Sequence, residues 1–163
     1  MENIIEVNDS EIIANILNKA FMTVALQFNF TKENVPRFPA FISSEIIANQ
    51  MNKGLKMYGY KNDDQMVGCV GYSFYKDQIY FIERLATLPE CRHLGIGRQL
   101  MEFVENKIKE SGGKTVEIHV VDKNKVLVEW YKKLNYIEIR VDELFDGVKK
   151  LPFNSCVMNK DLK

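Results

Sequence analysis

Residues 79–108 constrain the fold more than any other part of this sequence. Up to Thr87 the residues have the composition of a strand, and from about Gly97 apolar residues recur with the spacing of a helix. Pro89 and Gly95 lie in the connection, and the next run, Thr115–Val121, alternates like a second strand. A strand, a helix and a strand in this order predict a mixed sheet with helices on its faces.

The remaining periodicities complete this order. A first helix is expected to begin at a capping box. In it, the Asn8 side chain accepts a hydrogen bond from a first-turn amide, and the Glu11 side chain reaches back to the Asn8 backbone. A second helix is predicted over residues 43–53, closed by Gly54, and the apolar stripe of residues 127–134 predicts a fourth. The further predicted strands are residues 4–7, 55–60, 66–75, 136–141 and 152–159. The fold class is therefore α/β, a mixed and mostly antiparallel sheet of about seven strands flanked by about four helices.

The composition limits the classes of function. With 163 residues, 46% of them hydrophobic, we expect residues 1–163 to form one domain. Lys plus Arg and Asp plus Glu both number 22, which gives no reason to expect nucleic acid or an anionic membrane as partner. The three widely spaced cysteines are typical of reduced thiols. Neither a signal peptide nor a membrane-spanning run is visible, so a cytoplasmic location is expected.

The loop before the third helix has the features of an anion site. A helix N-terminus presents unpaired amides, and Gly95 and Gly97 allow a diphosphate to approach the backbone. Arg92 and Arg98 can add charge-assisted hydrogen bonds. The alternative is a tight turn without a ligand. The loop is neither a P-loop nor a dinucleotide motif, because it lacks the Lys-Ser/Thr pair and has Leu100 at the third glycine position.

At these residues the sequence resembles the GNAT N-acetyltransferases. The family signature R/Q-x-x-G-x-G/A is met by residues 92–97, and the preceding hydrophobic-x-Val-x-Pro pattern by residues 85–89, with Thr87 in place of Val. A second family block, an Asn followed by Tyr-x-x-x-Gly-Phe, is similar to Asn124 and residues 131–136. Asn135 replaces the glycine there and can also adopt a left-handed conformation.

The resemblance implies acetyl-coenzyme A as cosubstrate and no metal. The glycine loop would hold the pyrophosphate, the strand end would pair with the pantetheine arm, and Asn124 would also contact the cofactor. The cofactor-binding residues implied in this way are Leu85, Ala86, Thr87, Arg92, His93, Leu94, Gly95, Ile96, Gly97, Arg98, Asn124 and Tyr131.

The chemistry of acetyl transfer suggests catalytic roles. By the resemblance, the Thr87 N–H would stabilise the oxyanion and Tyr131 would return a proton to the departing thiolate. The alternative for Tyr131 is a core aromatic on the helical stripe of Leu127 and Leu134. Glu83 is the candidate base, since it lies four residues before Thr87 and is expected on the same face of the strand. A water chain, or an ion pair that occupies Glu83, is the alternative.

The acceptor is expected to be the primary amine of a small molecule. Residues 29–41 and 142–146 lie where the family builds its acceptor site, and an apolar wall with nearby carboxylates would suit a cationic amine. His93 could contact phosphate or remain solvated, while His119 is expected at the surface and Cys91 inert. The oligomeric state is left open, with a homodimer as one alternative. The rival functions are a non-catalytic acyl-coenzyme A sensor and, less favoured, a nucleotide-binding protein.

Overall fold

The computed structural model describes residues 2–163, which form seven strands and four α-helices. Two short 3-10 helices, Pro39–Phe41 and Pro89–Cys91, interrupt the connections. The elements in chain order are β1 (Ile4–Glu6), α1 (Ser10–Phe28), α2 (Ser44–Asn52), β2 (Lys56–Asn62), β3 (Gln65–Lys76), β4 (Ile79–Thr87), α3 (Ile96–Glu110), β5 (Thr115–Val121), α4 (Lys125–Lys133), β6 (Ile137–Asp146) and β7 (Lys149–Asp161).

The strands form one sheet in the order β1-β2-β3-β4-β5-β7-β6. Every neighbouring pair is antiparallel except β4 and β5, which are parallel and joined through α3. The predicted fold class, a mixed and mostly antiparallel sheet with helices on its faces, is confirmed.

The helices cover both faces of the sheet. Tyr58 of β2 packs edge-on against Phe103 of α3, and Tyr80 of β4 donates a hydrogen bond to the carbonyl of Ser111, just after α3. Phe81, the next residue of β4, points to the other face and shares a cavity with Phe21 of α1. This second face also carries α2, which packs against α1.

Most predicted bounds differ from the observed ones by a few residues, and β4 and β5 have the predicted bounds. The structure corrects the predicted N-cap of the first helix. Asp9, not Asn8, caps α1, and its Oδ1 accepts hydrogen bonds from the amides of Glu11 and Ile12. The cap must directly precede the first helical residue, which is Ser10. Asn135 has the left-handed conformation expected of it, with φ of 70°.

Membrane crossing by a helix finds no support in this fold. Between residues 2 and 163 every helix is either too short or too polar to span a bilayer.

Candidate active site

The sheet opens between its two parallel strands. β4 pairs with β5 only from Ile79 to Phe81, opposite Thr115 to Glu117. Beyond this point β4 continues to Thr87 and β5 to Val121 without pairing to each other. Backbone groups of β4 that face β5 are therefore available to a ligand that enters this gap.

The Thr87 amide faces the gap. The next amide, that of Leu88, donates to the Val67 carbonyl at 2.8 Å, at the end of the ladder between β3 and β4. Consecutive amides of a strand point to opposite sides, so the Thr87 N–H points away from β3. This orientation is the one that an oxyanion donor in the gap requires.

The loop that follows β4 leaves a row of free amides at the start of α3. Within residues 2–163 no acceptor is found for the backbone N–H groups of residues 93–98. Gly95 is the N-cap and has φ of 78°, a left-handed conformation in which glycine is unstrained. His93 is also left-handed, with φ of 64°. The row joins the positive end of the α3 dipole to several donors, which is the arrangement that binds a diphosphate.

The two arginines of the loop have different environments. The Arg92 guanidinium turns toward α1, where Nη2 donates to the Ala20 carbonyl at 2.7 Å and to Thr23 Oγ1 at 3.0 Å. Its side chain therefore fixes the loop to α1. Arg98 is exposed and pairs with Glu102 one turn along α3, at 3.1 Å. This surface pair is weak enough for Arg98 to exchange it for a phosphate oxygen.

The other loop residues contribute backbone rather than side chains. Ile96 and Ala86 are buried in the main core, while the Leu94 side chain is 63% exposed. A Cβ built on Gly97 would lie 3.6 Å from the Trp130 ring of α4 and 3.9 Å from Thr87 Oγ1. The start of α3, the end of β4 and α4 thus meet at one place.

Asn124 lies where β5 turns into α4 and caps that helix. Its Oδ1 accepts the Leu127 amide at 3.2 Å. The Nδ2 group has no acceptor among the residues that the structure describes, so it remains available to a cofactor.

Tyr131 of α4 is buried, with 7% of its surface exposed, and its ring packs edge-on against Trp130 and Tyr136. Burial raises the pKa of Tyr131 well above its ordinary value, so the phenol keeps its proton at neutral pH. Its hydroxyl forms no hydrogen bond within residues 2–163, and the hydroxyl oxygen is not fully buried. Tyr131 is both the core aromatic and a proton donor without a protein acceptor.

A β-bulge in β4 changes the placement of Glu83. Glu83 pairs with Gly71 and Ala86 with Cys69, so β4 uses one residue more than β3 over this stretch. Thr87 pairs with Gly68, which lies on the opposite face of β3 from Gly71. The expectation that Glu83 and Thr87 share a face was therefore wrong, because the extra residue reverses the alternation. Glu83 points instead to the face of α1 and α2.

On that face lies a cavity of about 520 Å³. Most of its wall is apolar or aromatic, and it receives side chains from the 29–41 loop, from β6 and from β7. Its lining residues are Phe21, Val35, Arg37, Phe38, Pro39, Phe81, Ile82, Glu83, Arg84, His119, Val121, Leu144, Leu151 and Phe153. Both segments expected to build an acceptor site, residues 29–41 and 142–146, thus reach the cavity.

The carboxylates of the 142–146 stretch do not line it. Asp142 is paired with Arg140 at 3.0 Å and Glu143 with Lys150 at 2.6 Å. Glu83 is the carboxylate among the lining residues. The expected apolar wall is present, but it carries fewer negative charges than the sequence suggested.

His119 of β5 also lines the cavity, although it was expected simply at the surface. Its ring packs edge-on against Phe81, Nε2 lies 2.8 Å from Glu117 Oε1, and Nδ1 lies 3.3 Å from Ser155 Oγ. Both ring nitrogens therefore have a partner within hydrogen-bond distance. Besides Glu83, His119 is the other lining residue whose side chain could act as a base.

Sequence reasoning missed Arg84 and Arg37. An arginine in the interior of a predicted central strand, next to Glu83, was the available signal for Arg84. Arg37 gave no such signal, since an arginine between two prolines in a loop is ordinary.

No cluster of His, Cys, Asp and Glu in residues 2–163 is arranged to hold a metal ion.

Comparisons with known proteins bear on the family and the fold of the chain. The sequence model described as the Acetyltransferase (GNAT) family matches residues 15–136. An uncharacterized N-acetyltransferase of Chlorobaculum tepidum is 33% identical over 75 residues, which are 46% of this chain and 45% of that protein. The chain therefore matches about half the length of this curated relative.

Solved structures are similar over nearly the whole chain. The ribosomal-protein-S18-alanine N-acetyltransferase of Escherichia coli superposes with a TM-score of 0.76 at 15% identity, covering 98% of this chain and 93% of that one. The PaiA N-acetyltransferase of Thermoplasma acidophilum, solved in complex with coenzyme A, gives 0.73 at 20% identity, covering 97% and 98%. At these identities the likeness shows the fold.

Proposed function

The chain belongs to the acetyltransferase (GNAT) family, and we propose that it transfers an acetyl group from acetyl-coenzyme A to a primary amine held in the cavity beside Glu83. The observation that carries this proposal is the meeting of two rows of free backbone groups. One is the β4 edge that faces the gap, and the other is the run of amides over residues 93–98.

These groups fit the two ends of the cofactor. The amides at the start of α3 and Arg98 would hold the diphosphate, and the β4 edge up to Thr87 would pair with the pantetheine arm. Asn124 would donate through Nδ2. When bound, acetyl-coenzyme A supplies an acetyl group activated as a thioester.

The gap connects the two faces of the sheet. Tyr131 lies on the face of α3 and α4, because its neighbour Tyr136 is hydrogen-bonded to Glu105 of α3. Glu83 lies on the opposite face, in the cavity. A thioester in the gap would therefore have a proton donor on one side and a carboxylate on the other, which suits direct transfer in a ternary complex.

Proton transfer sets the roles of these two residues. The reaction forms a bond from nitrogen to the acetyl carbon and breaks the bond from that carbon to sulfur, while nitrogen gives up a proton and sulfur takes one. An alkyl amine with a pKa near 10.4 costs about 4 kcal/mol to deprotonate at neutral pH, so Glu83 or a water that it holds would accept that proton. Tyr131 would return one to sulfur, and the Thr87 N–H would stabilise the oxyanion.

The acceptor is a small molecule in this proposal. The cavity volume of about 520 Å³ lies in the range of about 300–1,000 Å³ that is usual for small-ligand sites. A non-catalytic acyl-coenzyme A sensor would need the free amides, but it would give no role to a tyrosine hydroxyl without a protein acceptor.

The test combines binding and turnover. Coenzyme A and acetyl-coenzyme A should raise the melting temperature, since a ligand at about 100 times its Kd stabilises the folded state by about 2.7 kcal/mol. ATP and NAD should not. Free thiol should then be released from acetyl-coenzyme A when primary amines are added. Coenzyme A binding without release over a broad amine panel would favour the sensor, and the absence of binding would reject the site itself.

A further inference from the structure

Arg84 occupies the bulge of β4 in an unusual conformation. Its φ is 59°, in the left-handed region that L-residues other than glycine, Asn and Asp rarely adopt. Such strain persists only where the surrounding structure enforces it, and it concentrates at functional sites. The bulge has a direct consequence for the side chains. The Arg84 side chain reaches Gln50 of α2 and its Nε lies 4.0 Å from the Glu83 carboxylate, so these two consecutive side chains share one face, although in a regular strand they would point to opposite faces.

The Arg84 guanidinium has few hydrogen-bond partners inside the protein. Its side chain is only 16% exposed, and Nη2 donates to Gln50 Oε1 of α2 at 3.2 Å. Nε is buried and has no hydrogen-bond partner in residues 2–163, since the Glu83 carboxylate lies 4.0 Å away. Burial lowers the pKa of Arg84, which reflects the cost of holding this charge away from water. A buried cation with unused donors is an incomplete site for an anion.

Positively charged side chains outnumber negatively charged ones in the wall of the cavity. Arg37 lines the cavity, is exposed and has no carboxylate within ion-pair distance in the described chain. Glu83 is the carboxylate that lines the cavity, and Glu117 is paired with His119. Arg37 and Arg84 thus face one carboxylate, so a purely cationic acceptor would bring further positive charge to a site that already carries an excess of it.

From these contacts we infer that the acceptor is an α-amino acid with an apolar or aromatic side chain. This inference rests on the proposed function. The amino group would lie at Glu83, the carboxylate would receive the free N–H groups of Arg84, and the side chain would pack on the aromatic wall formed by Phe21, Phe38, Phe81 and Phe153. Glu83 and Arg84 form an adjacent anion and cation, complementary to an amino acid whose ammonium and carboxylate are separated by one carbon.

Other amines fit the same cavity less well. A polyamine or a lysine side chain has no carboxylate to offset the charge of the Arg84 guanidinium. The amino terminus of a peptide has an amide at the position of the carboxylate. An amide cannot form the bidentate ion pair that a guanidinium forms with a carboxylate.

The first test compares acceptors that share a side chain and differ at the carboxylate, over a range of pH because this change also alters the pKa of the amine. L-phenylalanine, L-phenylalaninamide and phenethylamine, and L-leucine, L-leucinamide and isoamylamine, are assayed by thiol release from acetyl-coenzyme A. We expect kcat/KM for each amino acid to exceed that of its amide and its decarboxylated amine by about 10-fold or more, the usual effect of a charge-assisted pair. Calorimetry adds a readout without turnover: 3-phenylpropanoate should bind to the coenzyme A complex, and phenethylamine more weakly.

The second test alters Arg84. Arg84→Gln should lower kcat/KM for L-phenylalanine far more than for phenethylamine, so that the preference between the two falls at least about 10-fold. Arg84→Lys keeps the charge without the planar fork and should recover part of the preference. Lys109→Gln is the matched control, because it removes one positive charge from the exposed outer side of α3 and should leave the preference unchanged.

The outcomes separate this inference from the proposed function. Turnover of phenethylamine or the amides at least as fast as the amino acids, by the unmodified protein, would overturn the amino acid as acceptor and keep the enzyme. An unchanged preference in Arg84→Gln would reject Arg84 as the carboxylate partner. Coenzyme A binding with no turnover of any amine would remove the proposed function as well. The acceptor comparison needs no variant, so it decides the question even if Arg84 substitutions fail to fold.

Discussion

Tyr131 and Tyr136 are neighbouring buried tyrosines with contrasting hydroxyl environments. The Tyr136 hydroxyl donates to Glu105 at 2.8 Å, and Lys160 pairs with the same carboxylate at 2.8 Å. For the Tyr131 hydroxyl the described residues offer no acceptor. Tyr136 therefore stabilises the core through a buried network, whereas the hydroxyl of Tyr131 contributes little to folding and is free for chemistry.

Removal of the two hydroxyls should separate stability from catalysis. We expect Tyr131→Phe to lower kcat by about 100-fold or more while the affinity for coenzyme A and the stability change little, because the ring is kept and only the proton donor is lost. Tyr136→Phe should instead lower the free energy of unfolding by about 1–3 kcal/mol and leave kcat close to that of the unmodified protein. Single-turnover kinetics and urea unfolding measure the two effects. Full kcat in Tyr131→Phe, with chemistry rate-limiting, would exclude Tyr131 as the acid.

Glu83 and His119 are the two groups in the cavity that could accept the amine proton, and pH profiles distinguish them. If Glu83 is the base, Glu83→Gln should flatten or shift the rise of kcat/KM with pH while coenzyme A affinity stays constant. His119→Gln is the matched comparison, since it removes the other ionisable group of the same wall. A profile that is unchanged in Glu83→Gln but flattened in His119→Gln would assign the base to His119, and one unchanged in both would point to ordered water.

Helix α3 has a left-handed glycine at each end, and this gives a controlled test of the cofactor site. Gly95 precedes the helix with φ of 78°, and Gly112 follows it with φ of 83°. A valine at either position would be strained by a similar amount, about 1–2 kcal/mol or more. Only Gly95→Val places a branched side chain beside the free amides, so coenzyme A affinity should collapse in this variant and persist in Gly112→Val. Equal affinities by calorimetry, with both variants folded, would show that the diphosphate does not bind there.

The strands and helices could be predicted from the sequence because periodicity is a local property. The bounds of β4 and β5 and the left-handed Asn135 follow from alternation, turn residues and the capacity of Asn for positive φ. The cap of α1 was displaced by one residue because Asn8 and Asp9 are both good capping residues.

The bulge could not be predicted, because it is a property of two strands rather than one. Alternation within β4 predicts a common face for Glu83 and Thr87, and only the register with β3 shows the extra residue. The docking of Arg92 on α1 and the pairing of Asp142 with Arg140 are likewise tertiary contacts. The cofactor motif was visible since it is a continuous segment. Of the cavity wall, only residues of the 29–41 and 142–146 segments and Glu83 were expected, since distant segments build the rest.

For the whole molecule, the buried thiol and phenols predict a loss of stability in alkali. Burial raises the pKa of Cys69 from its usual value of 9.0 to about 12, and the pKa values of Tyr131 and Tyr136 are also raised. Above about pH 9 the unfolded chain releases protons that the folded chain retains. The unfolded state then binds fewer protons, so the free energy of unfolding falls as pH rises, by about 1.4 kcal/mol per pH unit for each such group.

Urea unfolding between about pH 8 and 11 tests this prediction. Stability should be nearly constant up to about pH 9 and should then fall, more steeply above about pH 10 when the tyrosines of the unfolded chain ionise. Cys69→Ala lowers stability throughout, because it removes a buried side chain, but it should reduce the slope between about pH 9 and 10, where Cys156, whose pKa burial also raises, keeps a part of it. A slope in that interval that is the same with and without the thiol would contradict the assignment.

The gap between β4 and β5 also has a mechanical consequence. The sheet consists of two hydrogen-bonded groups of strands, β1 to β4 and the three strands β5, β7 and β6, which are joined by three residue pairs at one end of the shared edge. Such a junction resists shear poorly, because any load on it is concentrated on those few bonds. A ligand bonded along the free edge of β4 and held by α3 and α4 would brace this junction. The molecule should therefore be stiffest with a ligand in the gap and most compliant when the gap is empty.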